Sequence, residues 1–167
     1  MTWMERAVIV LLSTAAMEGV AWAVHRYVMH GWGWGWHASH HAPRTGVFEK
    51  NDLFAVVFAV LAVGLFTAGR YSWEPLWWAA LGMTLYGVLY ALAHDALVHR
   101  RLPGVPTPKR GYLLRLHQAH HLHHAVHTRE GAVSFGFLLA PNPERLRARL
   151  ARRRAHRTPE TEELAES

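Results

Sequence analysis

Three apolar stretches divide the chain: Ala7 to Val24, Leu53 to Gly69 and Pro75 to Ala93. Each is near the length an α-helix needs to cross a bilayer. The second, "LFAVVFAVLAVGLFTAG", is apolar on every side, whereas a core helix of a soluble domain carries a polar face at helical period. The pattern predicts three membrane-spanning helices, the short second one using Asp52 and Arg70 as its interfacial ends. The first stretch does not read as a cleaved signal peptide, because it begins almost neutral (Glu5, Arg6) and lacks a small-x-small site before a polar region.

The segments between and after these stretches are polar. "RLPGVPTPKRGY", residues 101 to 112, reads as a loop from its prolines and glycines, and a helix is expected from about Leu113. "RLRARLARRRAHR" places Leu146 and Leu150 on one face of a basic helix, and "TPETEELAES" then turns acidic and reads as a frayed tail. The expected fold is all-α: an integral membrane helical bundle spanning residues 1–143, followed by a basic then acidic tail, 144–167. At 167 residues the chain has room for one domain.

Charge orients the bundle. With three spans, Arg6 and Arg70 lie on one side and the other 16 of the 18 Lys and Arg on the opposite side, which the positive-inside rule assigns to the cytoplasm. The segment from His25 to Lys50 and everything after Ala93 then share the cytoplasmic face, and every histidine lies at or beyond it. The net charge of +6 suits anionic membrane lipid; the basic residues do not interleave with exposed aromatics as on a nucleic-acid module, so no nucleic-acid partner is expected. The chain has no cysteine, so a bound metal would be held by nitrogen or oxygen.

Twelve of the chain's 14 histidines form four clusters: "HRYVMH" (His25, His30), "HASHH" (His37, His40, His41), "HDALVH" (His94, His99) and "HQAHHLHH" (His117, His120, His121, His123, His124). The order is pair, triad, pair, triad. An i, i+3, i+4 triad puts three rings on one helical face. Members of a pair stand about 140° apart around an α-helix, so they converge only where the helix ends or bends between them. A structural zinc knot takes four ligands, so ten histidines suit two ions. Imidazole accepts zinc, copper, iron and nickel alike. Glu-x-x-His motifs of soluble di-iron bundles are absent, and histidines at helix ends argue against bis-histidine haem.

These strings resemble the membrane fatty acid hydroxylase and sterol desaturase superfamily. "HRYVMHGWGWGWHASHH", "NDLFAVVFA", "GMTLYGVLYALAHDALVH", "KRGYLLRLHQAHHLHHAV" and "GAVSFGFLLAP" are similar to its bacterial β-carotene 3-hydroxylase branch, over roughly Ala7 to Pro141. The resemblance implies a non-haem di-iron monooxygenase of the bacterial inner membrane, its histidine cluster and C-terminus on the cytoplasmic side. Dioxygen and two electrons, from NAD(P)H through reduced ferredoxin or a similar carrier, would hydroxylate carbon 3 of each β-ionone ring. β-Carotene would pass through β-cryptoxanthin to zeaxanthin. The ligands carried over are His25, His30, His37, His40, His41, His94, His99, His120, His123 and His124. His117 and His121 stand where related sequences carry Tyr and Arg, creating a second overlapping triad with His120; family register favours His120, His123 and His124, while spacing alone does not choose. The loop "RRLPGVPTPKRGY", residues 100 to 112, is also less aromatic than the family's, which bears on substrate access. His127 and His156 read as bystanders.

Hydroxylating an unactivated C–H bond is beyond side-chain acid–base chemistry, so no catalytic side chain is expected besides the metal ligands. Asp95, beside His94, is placed to anchor an imidazole N–H or simply to be a solvated helix-end acid. Asn51 and Asp52 serve either that role or capping of the second span, with capping the simpler reading. Glu18, seven residues before His25 and on nearly the same helical face, suggests an intramembrane polar link to the metal ligands. Trp32, Trp34 and Trp36 suit the headgroup layer and could also rim the substrate's route from lipid. A carotenoid ketolase, a desaturase, or a fatty acyl or sterol hydroxylase would share the histidines, but "GWGWGW" and "VSFGF" side with the carotenoid hydroxylases. A metal transporter or membrane metal-binding protein is the rival from another class; transport would string its ligands along a path through the bilayer.

Overall fold

The computed structural model describes residues 1–43 and 46–163, with side chains described through Ala155. Every regular element among the described residues is helical. Helix α1 (Trp3–Ala23) starts from a capping box, with Thr2 Oγ1 accepting from Glu5 N at 3.2 Å and Glu5 returning the bond to Thr2 N. It continues as a π-helical segment, Val24–Trp32, which is kinked at Gly31, and together they cover 30 residues. A short helix, α2 (Trp34–His37), and a 3₁₀ turn, Ala38–His40, follow.

Helices α3 (Asp52–Tyr71) and α4 (Glu74–Tyr90) form a hairpin, and α4 also widens into a π-helical segment, Ala91–Val98. These two rods and Trp3–Trp32 are long and apolar enough to cross a membrane. Leu11, Leu12, Val60, Leu61 and Val88 point outward, as side chains bathed in lipid would. Helix α4 is central and packs against both α1 and α3. Gly82 permits the first contact: a Cβ there would stand 2.6 Å from the carbonyl oxygen of Val10. Gly69 permits the second, where a Cβ would strike the backbone nitrogen of Trp77.

At one end of the bundle Arg6 pairs with Glu74 at 2.8 Å and lies over the rings of Trp3 and Trp78. All the histidine clusters gather at the other end. There α5 (Gly111–His124) and α6 (Pro143–Glu163) pack together, with Leu146 and Leu150 buried against Leu116, Ala119 and Val133. Helix α6 runs on through Glu163, into the acidic stretch expected to fray, because Ala, Arg and Glu are strong helix formers; residues 164–167 of that tail lie outside the described residues.

Candidate metal centre

The π-helical segments answer the geometric problem of the histidine pairs. The helix was expected to end or bend between pair members; instead it widens. A π-helix bonds residue i to i+5, and its wider turn brings residues five apart much nearer the same face than an α-helix does. Gly33 N donates to Val28 O at 2.8 Å and His99 N to His94 O at 2.9 Å in that pattern. The His25 and His30 rings thereby come within 5.3 Å and those of His94 and His99 within 4.4 Å. The backbone does break at Gly31 (φ −114, ψ −124), but only after both members of the first pair are placed.

The ten histidines carried over by resemblance resolve into two clusters of five. His25, His30, His37 and His123 converge, and His41 Nε2 joins them at 3.2 Å from both His37 Nε2 and His123 Nε2. His40, His94, His99 and His120 form the second, joined by His124 Nε2 at 2.8 Å from His120 Nε2. Each triad is split: His40 leaves His37 and His41 for His94, and His123 leaves His120 and His124 for His30. His99 and His124 are half-buried and the other eight are buried. His117 and His121 stand apart on the outer face of α5, their Nε2 atoms 3.2 Å from each other. His127 donates from Nδ1 to the His41 carbonyl at 2.8 Å, and the side chain of His156 lies outside the described residues.

Neighbours hold seven of these rings by Nδ1. The acceptors are the carbonyls of Phe135 (His25), Arg129 (His30), Val126 (His41) and Val133 (His123), together with Asn51 Oδ1 (His37, 2.7 Å), Glu49 Oε2 (His40, 2.9 Å) and Asp95 Oδ1 (His94, 2.9 Å). Asn51 stands at the N-cap of α3 without capping it; its oxygen faces His37 instead. A proton on Nδ1 leaves Nε2 as a bare lone pair. Lone pairs meeting at about 3 Å repel, and a cation between them removes the repulsion. The donor set therefore fits metals that favour imidazole, iron among them. Burial, reinforced by neighbouring imidazoles, pushes the pKa of His37 down to about 3 and of His41 to about 4, and holds His40, His120, His123 and His124 well below the ordinary histidine value. Neutral rings are the form that binds metal.

Around the clusters, Arg101 pairs with Asp52 at 2.7 Å and Glu49 at 3.1 Å, and approaches Asp95 at 3.8 Å. Burial opposes its charge, yet the hydrogen bond to Asp52 and the nearby carboxylates raise its pKa. Glu18 touches no histidine ring. It accepts from the backbone amides of Phe137, Leu138 and Leu139 at 2.9–3.1 Å and from Tyr86 Oη at 2.7 Å. That anchors a loop whose Phe135 carbonyl holds His25 and whose Phe137 ring stacks on His25 at 4.9 Å and meets His94 edge-on at 5.4 Å.

A cavity of about 590 Å³ opens beneath Phe137, walled by Met17, Phe54, Phe58, Phe66, Met83 and Tyr90 among others. Asn51, Asp95 and Phe137 close it on the histidine side. Phe66 lies fourteen residues along α3 from Asp52, so the cavity extends about 21 Å into the bundle at 1.5 Å per residue. None of Trp32, Trp34 and Trp36 is among its walls. Trp32 is 84% exposed, Trp36 packs on Phe54 at 5.4 Å, and Trp34 lies 5.2 Å from His30 and 5.4 Å from His41. Glu49, Arg101 and Phe137 went unnoticed in the sequence: Glu49 and Arg101 sit in loops without a motif, and Phe137 was visible only as part of "VSFGF".

No solved structure matches the chain. It is 59% identical over 147 residues, 88% of this chain and 84% of the relative, to a protein of Pseudescherichia vulneris named β-carotene hydroxylase. It is 52% identical over 157 residues, 94% and 90% of the two chains, to the β-carotene hydroxylase of Pantoea ananas. It is 39% identical over 137 residues to a chloroplastic β-carotene 3-hydroxylase of Arabidopsis thaliana, covering 78% of this chain and 44% of that one. Residues 10–141, which carry all four histidine clusters, match the fatty acid hydroxylase family, and the chain belongs to it.

Proposed function

We propose that the protein is a carotenoid hydroxylase that adds a hydroxyl at carbon 3 of each β-ionone ring, taking β-carotene through β-cryptoxanthin to zeaxanthin. The observation that carries this reading is the long apolar cavity ending at two histidine clusters, in a chain similar to proteins named for this reaction. An apolar space about 21 Å deep suits a rod-like hydrocarbon drawn from lipid. His25, His30, His37, His41 and His123 would hold one iron and His40, His94, His99, His120 and His124 the other. The iron pair, with dioxygen and two electrons from NAD(P)H through a ferredoxin-like carrier, would supply the oxidising power.

The chain's own residues do the rest. Phe137 and Tyr90, with ring centroids 4.7 Å apart, wall the cavity beside His25 and His94 and orient the ring to be hydroxylated. The apolar walls exclude water. Asn51, Glu49, Asp95 and the backbone carbonyls fix which nitrogen of each ring faces inward. Glu18 holds the Phe137 loop. Residues 1–143 form the hydroxylase domain and 144–167 a cytoplasmic tail whose arginines lie against anionic lipid, in a bacterial inner membrane with the histidine end toward the cytoplasm.

The test is expression in a bacterium that accumulates β-carotene, with pigments analysed by chromatography and mass spectrometry beside a His120→Ala control. Singly and doubly hydroxylated carotenes absent from the control are expected. Unchanged β-carotene from an iron-loaded protein present in the membrane would overturn the substrate assignment.

A further inference from the structure

The two histidine clusters differ in what stands behind them. In the first, every Nδ1 partner is neutral: the carbonyls of Phe135, Arg129, Val126 and Val133, and the amide oxygen of Asn51. The buried carboxylate of Glu18 faces the amides of residues 137–139 rather than a ring. In the second, His40 and His94 donate to the carboxylates of Glu49 and Asp95. Arg101 binds Glu49 and Asp52 and approaches Asp95, fixing both carboxylates against their rings. Three carboxylates and one guanidinium leave net negative charge behind the second cluster.

A carboxylate accepting from Nδ1 makes the imidazole a stronger donor at Nε2, and its charge attracts a cation directly. Carbonyl oxygens orient a ring without supplying a full charge. We infer that the two metal sites are unequal, and that Glu49 and Asp95, held by Arg101, act as positioning residues that make the cluster of His40, His94, His99, His120 and His124 the tighter site. This rests on the two-metal reading above. It implies that the ions are bound, and lost, in a defined order.

The experiment takes the full-length, iron-loaded protein in lipid nanodiscs, reduced and kept from oxygen, and equilibrates it with graded concentrations of a ferrous chelator. Retained iron is counted, and a half-depleted ⁵⁷Fe sample is recorded by Mössbauer spectroscopy. Two steps of one iron each are expected, with a single quadrupole doublet at half depletion. Glu49→Gln, which keeps an acceptor for His40 but removes the charge, should weaken the tighter step about 10–100-fold and leave the other unmoved. Asp95→Asn makes the same test on His94 should Glu49→Gln fail to fold. Asn51→Asp, which adds a charge behind His37, should tighten the weaker step. Loss of both irons in one step, or an equal shift of both steps in Glu49→Gln and Asp95→Asn, overturns the inference while leaving the two-iron reading standing. Fewer than two irons per chain before chelator is added overturns both.

Discussion

Helix α5 carries two histidine pairs at the same four-residue spacing with different fates. His120 and His124 face inward, their Nε2 atoms 2.8 Å apart, beside rings from the turn after α2 and from the second π-helical segment. His117 and His121 face outward, 3.2 Å apart, next to Arg100. Local geometry is nearly the same, so spacing alone does not bring a ring into a cluster. Convergence from other segments and burial do.

The strongest way to break this comparison is to exchange the losses. His120→Ala should cut hydroxylation by at least about 100-fold and lower the iron content, read from pigments and metal analysis. The matched His117→Ala should not, and equal losses from both would show that the outer pair is also a ligand pair. Removing an anchor without touching a ligand should be milder. Asn51→Leu deprives His37 Nδ1 of its acceptor and should weaken iron binding about 10-fold in a chelator competition.

Glu18→Gln sharpens the contrast from outside the clusters. It keeps the shape but removes the charge that gathers three amides, and should lower stability by about 1.5–3 kcal/mol in thermal unfolding. Full stability, iron content and turnover would show that the Phe137 loop does not need that carboxylate.

Acid should act on the buried rings first. With the folded-state pKa of His41 near 4 and of His37 near 3, the unfolded chain binds more protons than the folded one below about pH 6.5. Their stabilising preference for the neutral form is therefore fully present above pH 6.5 and is lost as pH falls toward 4 for His41 and toward 3 for His37. The melting temperature should drop across that window, and a flat profile would contradict the burial of these rings. The smallest effect belongs to the outer pair: His121→Ala should change stability by less than about 0.5 kcal/mol.

Much of this was legible in the sequence, for identifiable reasons. Span positions followed from runs of apolar residues, and Arg6 and Arg70 marked the end opposite the histidines, where Arg6 indeed meets Glu74. The grouping of the ten histidines was not legible, because each triad splits between clusters according to tertiary contacts rather than helical face. The π-helical segments escaped for a related reason: nothing local in "HRYVMH" or "HDALVH" separates a widened helix from one that ends. Glu18 was visible as an isolated charge in an apolar run, but its partners are Tyr86 and backbone amides 119–121 residues away, which leave no mark in composition.

That separation has a consequence for how the chain is made. Glu18 enters the membrane with the first span, while the amides that receive it belong to the last third of the protein. At about 5–20 residues per second, a gap of 119 residues leaves the carboxylate without those partners for about 6–24 s of synthesis. For most of that interval neither histidine cluster is complete, since each takes one or two rings from α5, the last of them His124. On the two-metal reading, metal capture would be a late event of biogenesis, and residues 137–139 would reach Glu18 only after the last ring of α5 is made.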